Sequence, residues 1–233
     1  IPEELLRENG FAWNGNQTDI VNIIESGTLF LMHRDHGISR NYTYESGSEP
    51  TFDGWGDPYF SHNEVLNLTN GDLLPYVFSI NCQTGWFDGE TDHDPSKSYE
   101  SFAEYFLRQE NGGAVGIIGA SRSSYSGYND FLANGMIDAI WEGYYPDFSP
   151  QDANGYMGMV LMNGLTAMEE FWDNSDLAHY EYAIFHVFGD PTTRIWRQNP
   201  IEITALHDSI FVFGQDSLFV TTSIDSGTAS ITK

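Results

Sequence analysis

Cys82 is the only cysteine in the 233-residue chain, and it stands where the apolar run Tyr76-Val77-Phe78-Ser79-Ile80 gives way to a loop containing Gly85. An earlier apolar run, Leu29-Phe30-Leu31-Met32, leads in the same way to His36-Gly37. Two strands ending in these residues would deliver an imidazole and a thiol to one rim of a parallel sheet. That is the equipment of a cysteine nucleophile, and peptide-bond hydrolysis is the leading reaction. Free cysteines also serve as small buried hydrophobes. The strand-end position of Cys82 before Gln83-Thr84-Gly85, rather than mid-strand, favours chemistry.

Other candidate groups weigh less. His33 lies within the apolar strand and reads as a satisfied core or surface histidine. His62, His93, His179, His186 and His207 lack a following glycine. His179 and His186 fall on one predicted helix and share a face, but no third ligand is spaced to complete a zinc site. Asp88, Glu90, Asp92 and Asp94 alternate as calcium-loop carboxylates do. They lack the terminal Glu and the sixth-position Gly of an EF-hand, so a solvated acidic loop is the plainer reading.

The elements that must position these residues follow from periodicity. The pattern predicts a helix over 18–26 with Thr18 as N-cap, a strand over about 28–33, and a long Gly-, Asp- and aromatic-rich loop through residue 60. A short helix over 61–68 precedes the strand ending at Ile80. Phe102, Tyr105 and Phe106 fall on one face of a helix over 98–110, which Asn111-Gly112-Gly113 should stop in a left-handed cap. Ala114 to Gly119 is a continuous apolar run, as expected of a parallel strand buried on both faces. Helices are predicted over 129–142, 155–172 and 177–187. Met157, Val160, Leu161, Leu165 and Met168 form the core stripe of the second. The alternation argues for an α/β sheet covered on both faces. After Asn199-Pro200 three β-rich stretches, 201–204, 209–213 and 217–221, are too few for a complete sandwich. They read as the opening strands of a second module spanning 200–233.

Composition narrows the function. The chain carries 34 acidic against 9 basic residues, a formal charge of −25. Such a field would repel nucleic acid and anionic membrane, which makes both poor partners. With 40% apolar and 15% aromatic residues the chain can bury a sizeable core. No apolar run approaches the roughly 18 residues needed to cross a bilayer. The acidity fits solubility outside the cell. The start at Ile1-Pro2-Glu3, without an initiator Met or a signal peptide, reads as a processed or excised piece.

An ordered set of segments resembles the gingipain-type cysteine peptidases, which share the caspase-like α/β fold. The set comprises Gly27 to Met32 leading into His36-Gly37, Phe78-Ser79-Ile80-Asn81-Cys82 with Gly85, Ser101 to Leu107, Gly112-Gly113-Ala114-Val115 and Phe188-Gly189-Asp190-Pro191. The resemblance implies a caspase-like three-layer sandwich with a mainly parallel sheet over 1–199, followed by an immunoglobulin-like β module. It implies Cys82 as nucleophile and His36 as general acid and base, with the N–H groups of Gly37 and Cys82 forming the oxyanion hole. Gly37 suits that place because a side chain there would block the scissile carbonyl. Ser123, Ser124 and Tyr125 would pair with the substrate backbone and line its pocket.

By the same resemblance no cofactor is needed for the chemistry, while structural calcium is a family property that keeps the 88–94 loop of interest. Asp35 stands where many relatives have Gly. A third, His-orienting carboxylate and one pocket wall lie upstream of the matched region in the family, so an upstream half-domain or separate processed chain would have to supply them. Arg122, near the pocket, would favour an acidic substrate residue unless it points to solvent. The expected protein is thus a secreted or surface-attached cysteine endopeptidase acting on protein or peptide substrates. Its rivals are a non-catalytic caspase-like module in a surface assembly and a sortase-like peptide ligase using the same dyad.

Overall fold

The computed structural model describes residues 15–44, 46–89, 99–141, 143–144, 155–173, 175–197, 202–210, 214 and 216–225. The chain divides into two units, Ile1–Arg197 and Gln198–Lys233.

The first unit is built on a four-stranded sheet. Its strands are β1 (Phe30–His33), β5 (Tyr76–Ser79), β6 (Gly116–Ala120) and β7 (Phe185–Phe188), in that spatial order. β1, β5 and β6 run parallel, and β7 closes the edge antiparallel to β6. Period-two alternation sends the strand side chains to opposite faces. Tyr76, Phe78 and Ile118 join one buried cluster with α4 (Ser126–Ile140), α5 (Met157–Phe171) and α6 (Asp176–Ile184). Val77 and Ile117 join a second cluster with Ile24 of α1 (Gln17–Glu25), Val65 of α2 (His62–Val65) and Phe102 and Phe106 of α3 (Phe102–Arg108). The result is the expected helix–sheet–helix sandwich.

Local chemistry sets the helix starts. Asn16 caps α1 and Asp19 returns the bond to the Asn16 N–H, a capping box that displaces the expected Thr18 cap. Ser101 and Glu104 form the same device on α3, which therefore begins at Phe102. Gly113 adopts a φ of 97°, the positive-φ stop expected after that helix.

The long loop after β1 is more ordered than its composition suggests. It contributes a small antiparallel sheet of β2 (Gly37–Ile38), β3 (Gly54–Trp55) and β4 (Phe60–Ser61). The loop is pinned by buried Asp53, whose carboxylate accepts from the Arg40 backbone N–H at 2.9 Å and pairs with the Arg40 guanidinium. Arg40 also lies 4.4 Å over the Tyr99 ring.

The predicted helix over 177–187 ends early. α6 stops at Ile184 because Phe185–Phe188 pairs with Ile117–Ala120, so His179 and His186 sit on different elements and share no face. In the second unit β8 (Ala205–His207) pairs antiparallel with β9 (Val220–Thr222). The predicted stretch 209–213 falls partly outside the described residues.

Candidate active site

Three parallel strands end at one sheet edge, and each expected site segment follows one of them. His36-Gly37 comes after β1, Cys82 after β5, and Ser123 to Tyr125 after β6. The turn after β5 is tight. Gln83 holds a φ of 64°, a left-handed conformation unusual for a residue with a side chain. Two bonds hold it there: its N–H donates to the Arg122 carbonyl at 3.0 Å, and its carboxamide donates to Ser123 Oγ at 2.9 Å.

The Cys82 thiol is half-buried. Sγ donates to the Ser124 carbonyl at 3.4 Å and accepts from the Ser124 N–H at 3.3 Å, with Ser124 Oγ at 3.8 Å. The N–H and the hydroxyl are therefore the donors at hand for sulfur once its proton leaves.

Gly37 presses on Cys82 through backbone. A Cβ placed on Gly37 would lie 2.0 Å from the Cys82 carbonyl oxygen and 2.5 Å from Asn81 Oδ1, so no larger residue fits without displacing the nucleophile turn. The neighbouring His36 imidazole is open to solvent, its side chain 85% exposed, with Nε2 3.9 Å from Asp35 Oδ1. No hydrogen bond joins it to the Cys82 thiol. Asp35 also accepts from the His36 backbone N–H at 2.7 Å. The backbone contact, rather than a side-chain bond, is what brings the two loops together.

Of the expected pocket segment only Ser124 touches the thiol, and all three of Ser123, Ser124 and Tyr125 are held by residues of α4 and α6. The Ser123 carbonyl accepts from Tyr180 OH at 2.9 Å, Ser124 Oγ from Asn129 Nδ2 at 2.7 Å, and the Tyr125 N–H donates to Glu181 Oε1 at 2.5 Å. The Tyr125 ring stands edge-on to Tyr180, centroids 6.1 Å apart. Glu181 is wholly buried, and its second oxygen has no partner. Burial raises its pKa to about 8, with the Tyr125 N–H opposing the shift. Asn129, Tyr180 and Glu181 escaped the sequence reading. Glu181 left one trace, an acidic residue on the buried Ala178 and Ile184 side of a helix.

Arg122 is engaged by Asp88 and Trp86. Its guanidinium forks onto Asp88 at 3.2 and 2.7 Å and stacks 4.4 Å over Trp86. Asp88 is thereby engaged by a cation, and Glu90, Asp92 and Asp94 lie outside the described residues. Among the described residues no three His, Cys, Asp or Glu side chains converge as metal ligands.

The histidine inside the apolar strand is buried and satisfied. His33 Nε2 meets the Asp57 carbonyl at 3.1 Å, Nδ1 meets Asn81 Nδ2 at 2.8 Å, and the ring stacks on Trp55 with centroids 4.5 Å apart. Desolvation lowers its pKa, favouring the neutral ring.

Comparison with known proteins converges on one group. The model of peptidase family C25 matches residues 6–196. Gingipain R2 of Porphyromonas gingivalis is 31% identical over 172 residues, covering 72% of this chain and 21% of its own length. Lys-gingipain W83 of the same organism is 26% identical over 200 residues, covering 78% of this chain and 11% of its own. The crystal structure of the Arg specific cysteine proteinase gingipain R superimposes with a TM-score of 0.67 at 22% identity, covering 95% of this chain and 47% of that one. A complex of the P. gingivalis RgpB pro- and mature domains gives the same TM-score at 20% identity. The chain thus spans about half of the solved chains it matches and a smaller part of the curated relatives.

Proposed function

This chain belongs to peptidase family C25 and has its caspase-like α/β fold, and from that premise we propose that it is a secreted cysteine endopeptidase using Cys82 and His36. The observation that carries the reading is the contact of Gly37 with the Cys82 carbonyl at the carboxyl edge of the parallel strands. It brings a backbone without a side chain against the nucleophile turn, which in this reading leaves room for the scissile carbonyl.

In the proposed reaction the Cys82 thiolate attacks the carbonyl carbon and its oxygen takes up the negative charge. The N–H groups of Gly37 and Cys82 stabilise that oxyanion. His36, having taken the thiol proton, returns it to the leaving amine as the C–N bond breaks. Water, deprotonated by His36, then cleaves the thioester and frees the acid and the thiol. This reading requires the exposed His36 ring to turn toward the thiol. Ser123 to Tyr125 offer backbone and side-chain groups to the substrate. Completion of the pocket by a further half-domain, in the same chain or as a separate processed chain, belongs to the same reading, in keeping with relatives about twice as long. No helix among the described residues is long and apolar enough to cross a membrane.

The solvent exposure of His36 favours one rival, a non-catalytic module of the same fold. A peptidyl electrophile decides between them. A catalytic Cys82 reacts far faster with it than with iodoacetamide, and His36→Ala removes the advantage. The products of a peptide library, read by mass spectrometry with an added amine, separate hydrolysis from ligation by acid against amide ends. If the upstream half-domain is supplied and there is still neither labelling above the iodoacetamide rate nor cleavage, the peptidase reading fails.

A further inference from the structure

His33 is buried, yet a bond leads from it to Asn81, the residue that precedes Cys82 and whose side chain lies against Gly37. The direction of each bond is fixed by elementary donor and acceptor rules. The Asp57 carbonyl can only accept, so His33 Nε2, 3.1 Å away, carries the proton. A neutral ring protonated at Nε2 has a lone pair at Nδ1, and the group 2.8 Å from it must be a donor, the Asn81 amide nitrogen. Asn81 Oδ1 then faces the other way, where Thr84 Oγ1 at 2.9 Å and Ser79 Oγ at 3.1 Å lie. Trp55 Nε1 donates to Ser79 Oγ at 2.7 Å, which leaves the serine proton for that cluster. Reversing the Asn81 amide would set its carbonyl against Nδ1, force the proton there and leave two acceptors facing each other at Asp57.

Asn81 is fully buried and directly precedes Cys82, and its Oδ1 and Cγ are, with the Cys82 carbonyl oxygen, the atoms against which Gly37 rests. Its carboxamide is therefore the common seat of the nucleophile turn and of Gly37. The stacked Trp55 ring, 4° from parallel, fixes the plane of the imidazole.

We propose that His33 is a positioning residue, a neutral imidazole locked as its Nε2–H tautomer that clamps Asn81 and so holds Cys82 and the Gly37 backbone in register. The proposal deepens the peptidase reading and rests on it for its kinetic consequence, though the clamp itself is a statement about structure. Burial favours the neutral ring. Asp57 and Asp35 favour its charging and Arg34 opposes it. Protonation would put an N–H at Nδ1 against the Asn81 amide and push the carboxamide off its seat.

The test uses the whole chain and two variants. His33→Gln keeps an acceptor for Asn81 and a donor for Asp57, whereas His33→Phe keeps only the stacked ring. In nitrogen-15 spectra the wild-type His33 should show an unprotonated Nδ1 throughout about pH 5.5 to 8, the range in which an unburied histidine titrates. The amide resonances of Gly37 and Cys82 should move in His33→Phe and return toward wild type in His33→Gln. The rate of Cys82 labelling by a peptidyl electrophile should fall on the order of ten- to a hundredfold in His33→Phe, as for a misplacement of about 1 Å, and recover in His33→Gln. An Nδ1–H tautomer, unmoved Gly37 and Cys82 resonances in His33→Phe, or a glutamine variant as displaced as the phenylalanine one overturns the clamp. If His33→Phe does not fold, the wild-type tautomer and the His33→Gln resonances decide. A wild type that ignores the peptidyl electrophile sinks the peptidase reading instead, and the spectra still decide the clamp.

Discussion

A carboxyl group buried beside a peptide N–H, with one oxygen unpartnered, ties the site to pH. Glu181 has that environment, and its pKa of about 8 lies far above the ordinary carboxylate range. The folded state therefore holds the proton more tightly than the unfolded chain. The stability this contributes is fully present below the unfolded value near 4.5 and is lost as pH rises through about 8. Each unit of pH within that window costs about 1.4 kcal/mol at most, so the total reaches a few kcal/mol. Wild-type melting temperature should fall between about pH 5 and 9, and Glu181→Gln should flatten that fall while keeping the acceptor for Tyr125 N–H. Scanning calorimetry of both proteins across the range checks it, and parallel curves would show that Glu181 titrates as an ordinary carboxylate. The same residue shows where reading a sequence stops. Cys82 and His36-Gly37 stand out in the sequence as candidates because each follows an apolar run. Glu181 reaches Tyr125 only because α6 packs behind the strand that Tyr125 follows, and no local pattern encodes that crossing.

Among the elements, α4 and α5 approach closely enough for backbone to touch backbone. A Cβ on Gly164 would lie 2.5 Å from Met136 Cγ and 2.7 Å from the Leu132 carbonyl, and one on Gly135 would lie 2.9 Å from Gly164 Cα. Asn163 reinforces the contact by donating to the Gly135 carbonyl at 2.8 Å. Gly164→Val must part the helices or bend them, and overpacking of this kind costs about 1–3 kcal/mol. Thermal unfolding should shift down by roughly 2–4 °C for each kcal/mol in a chain of this size. An unchanged midpoint would mean that the two helices are not held at this distance in solution. The helix pair was readable in outline, since Met157, Val160, Leu161, Leu165 and Met168 recur on one face. β7 was not. Phe185-His186-Val187-Phe188 continues a helical run with no Gly or Pro between, and it becomes a strand only because the β6 edge offers it a partner. The two-residue strands β2, β3 and β4 are shorter than the period needed to show alternation. They exist because Arg40 and Asp53 bring distant parts of the loop together.

At the scale of the whole molecule, a chain with 34 acidic residues against 9 basic ones carries a single thiol. Most described arginines are already spent: Arg34 pairs with Asp130, Arg40 with Asp53, Arg108 with Glu100 and Arg122 with Asp88. The excess negative charge therefore sets a field around the molecule that local pairs do not cancel, and it should concentrate cations near the Cys82 edge and deplete anions. Because Cys82 is the only cysteine, a thiol reagent reads that field at one defined atom without any assumption about catalysis. A cationic methanethiosulfonate should modify Cys82 roughly tenfold or more faster than its anionic counterpart at low ionic strength, within the range electrostatic steering allows. The ratio should shrink as salt shortens the screening length from about 30 Å at 0.01 M to about 3 Å at 1 M. Stopped-flow rates for both reagents across that series measure it. A ratio near one that ignores salt would place the acidic surface away from the thiol. A ratio that persists at high salt would assign the preference to groups in contact with the thiol instead, with Glu181 too buried and too readily protonated to be the first among them. A substrate approaching the Cys82 edge meets the same field, so peptides with cationic flanks should gain in encounter rate at low salt whatever side chain precedes the cut.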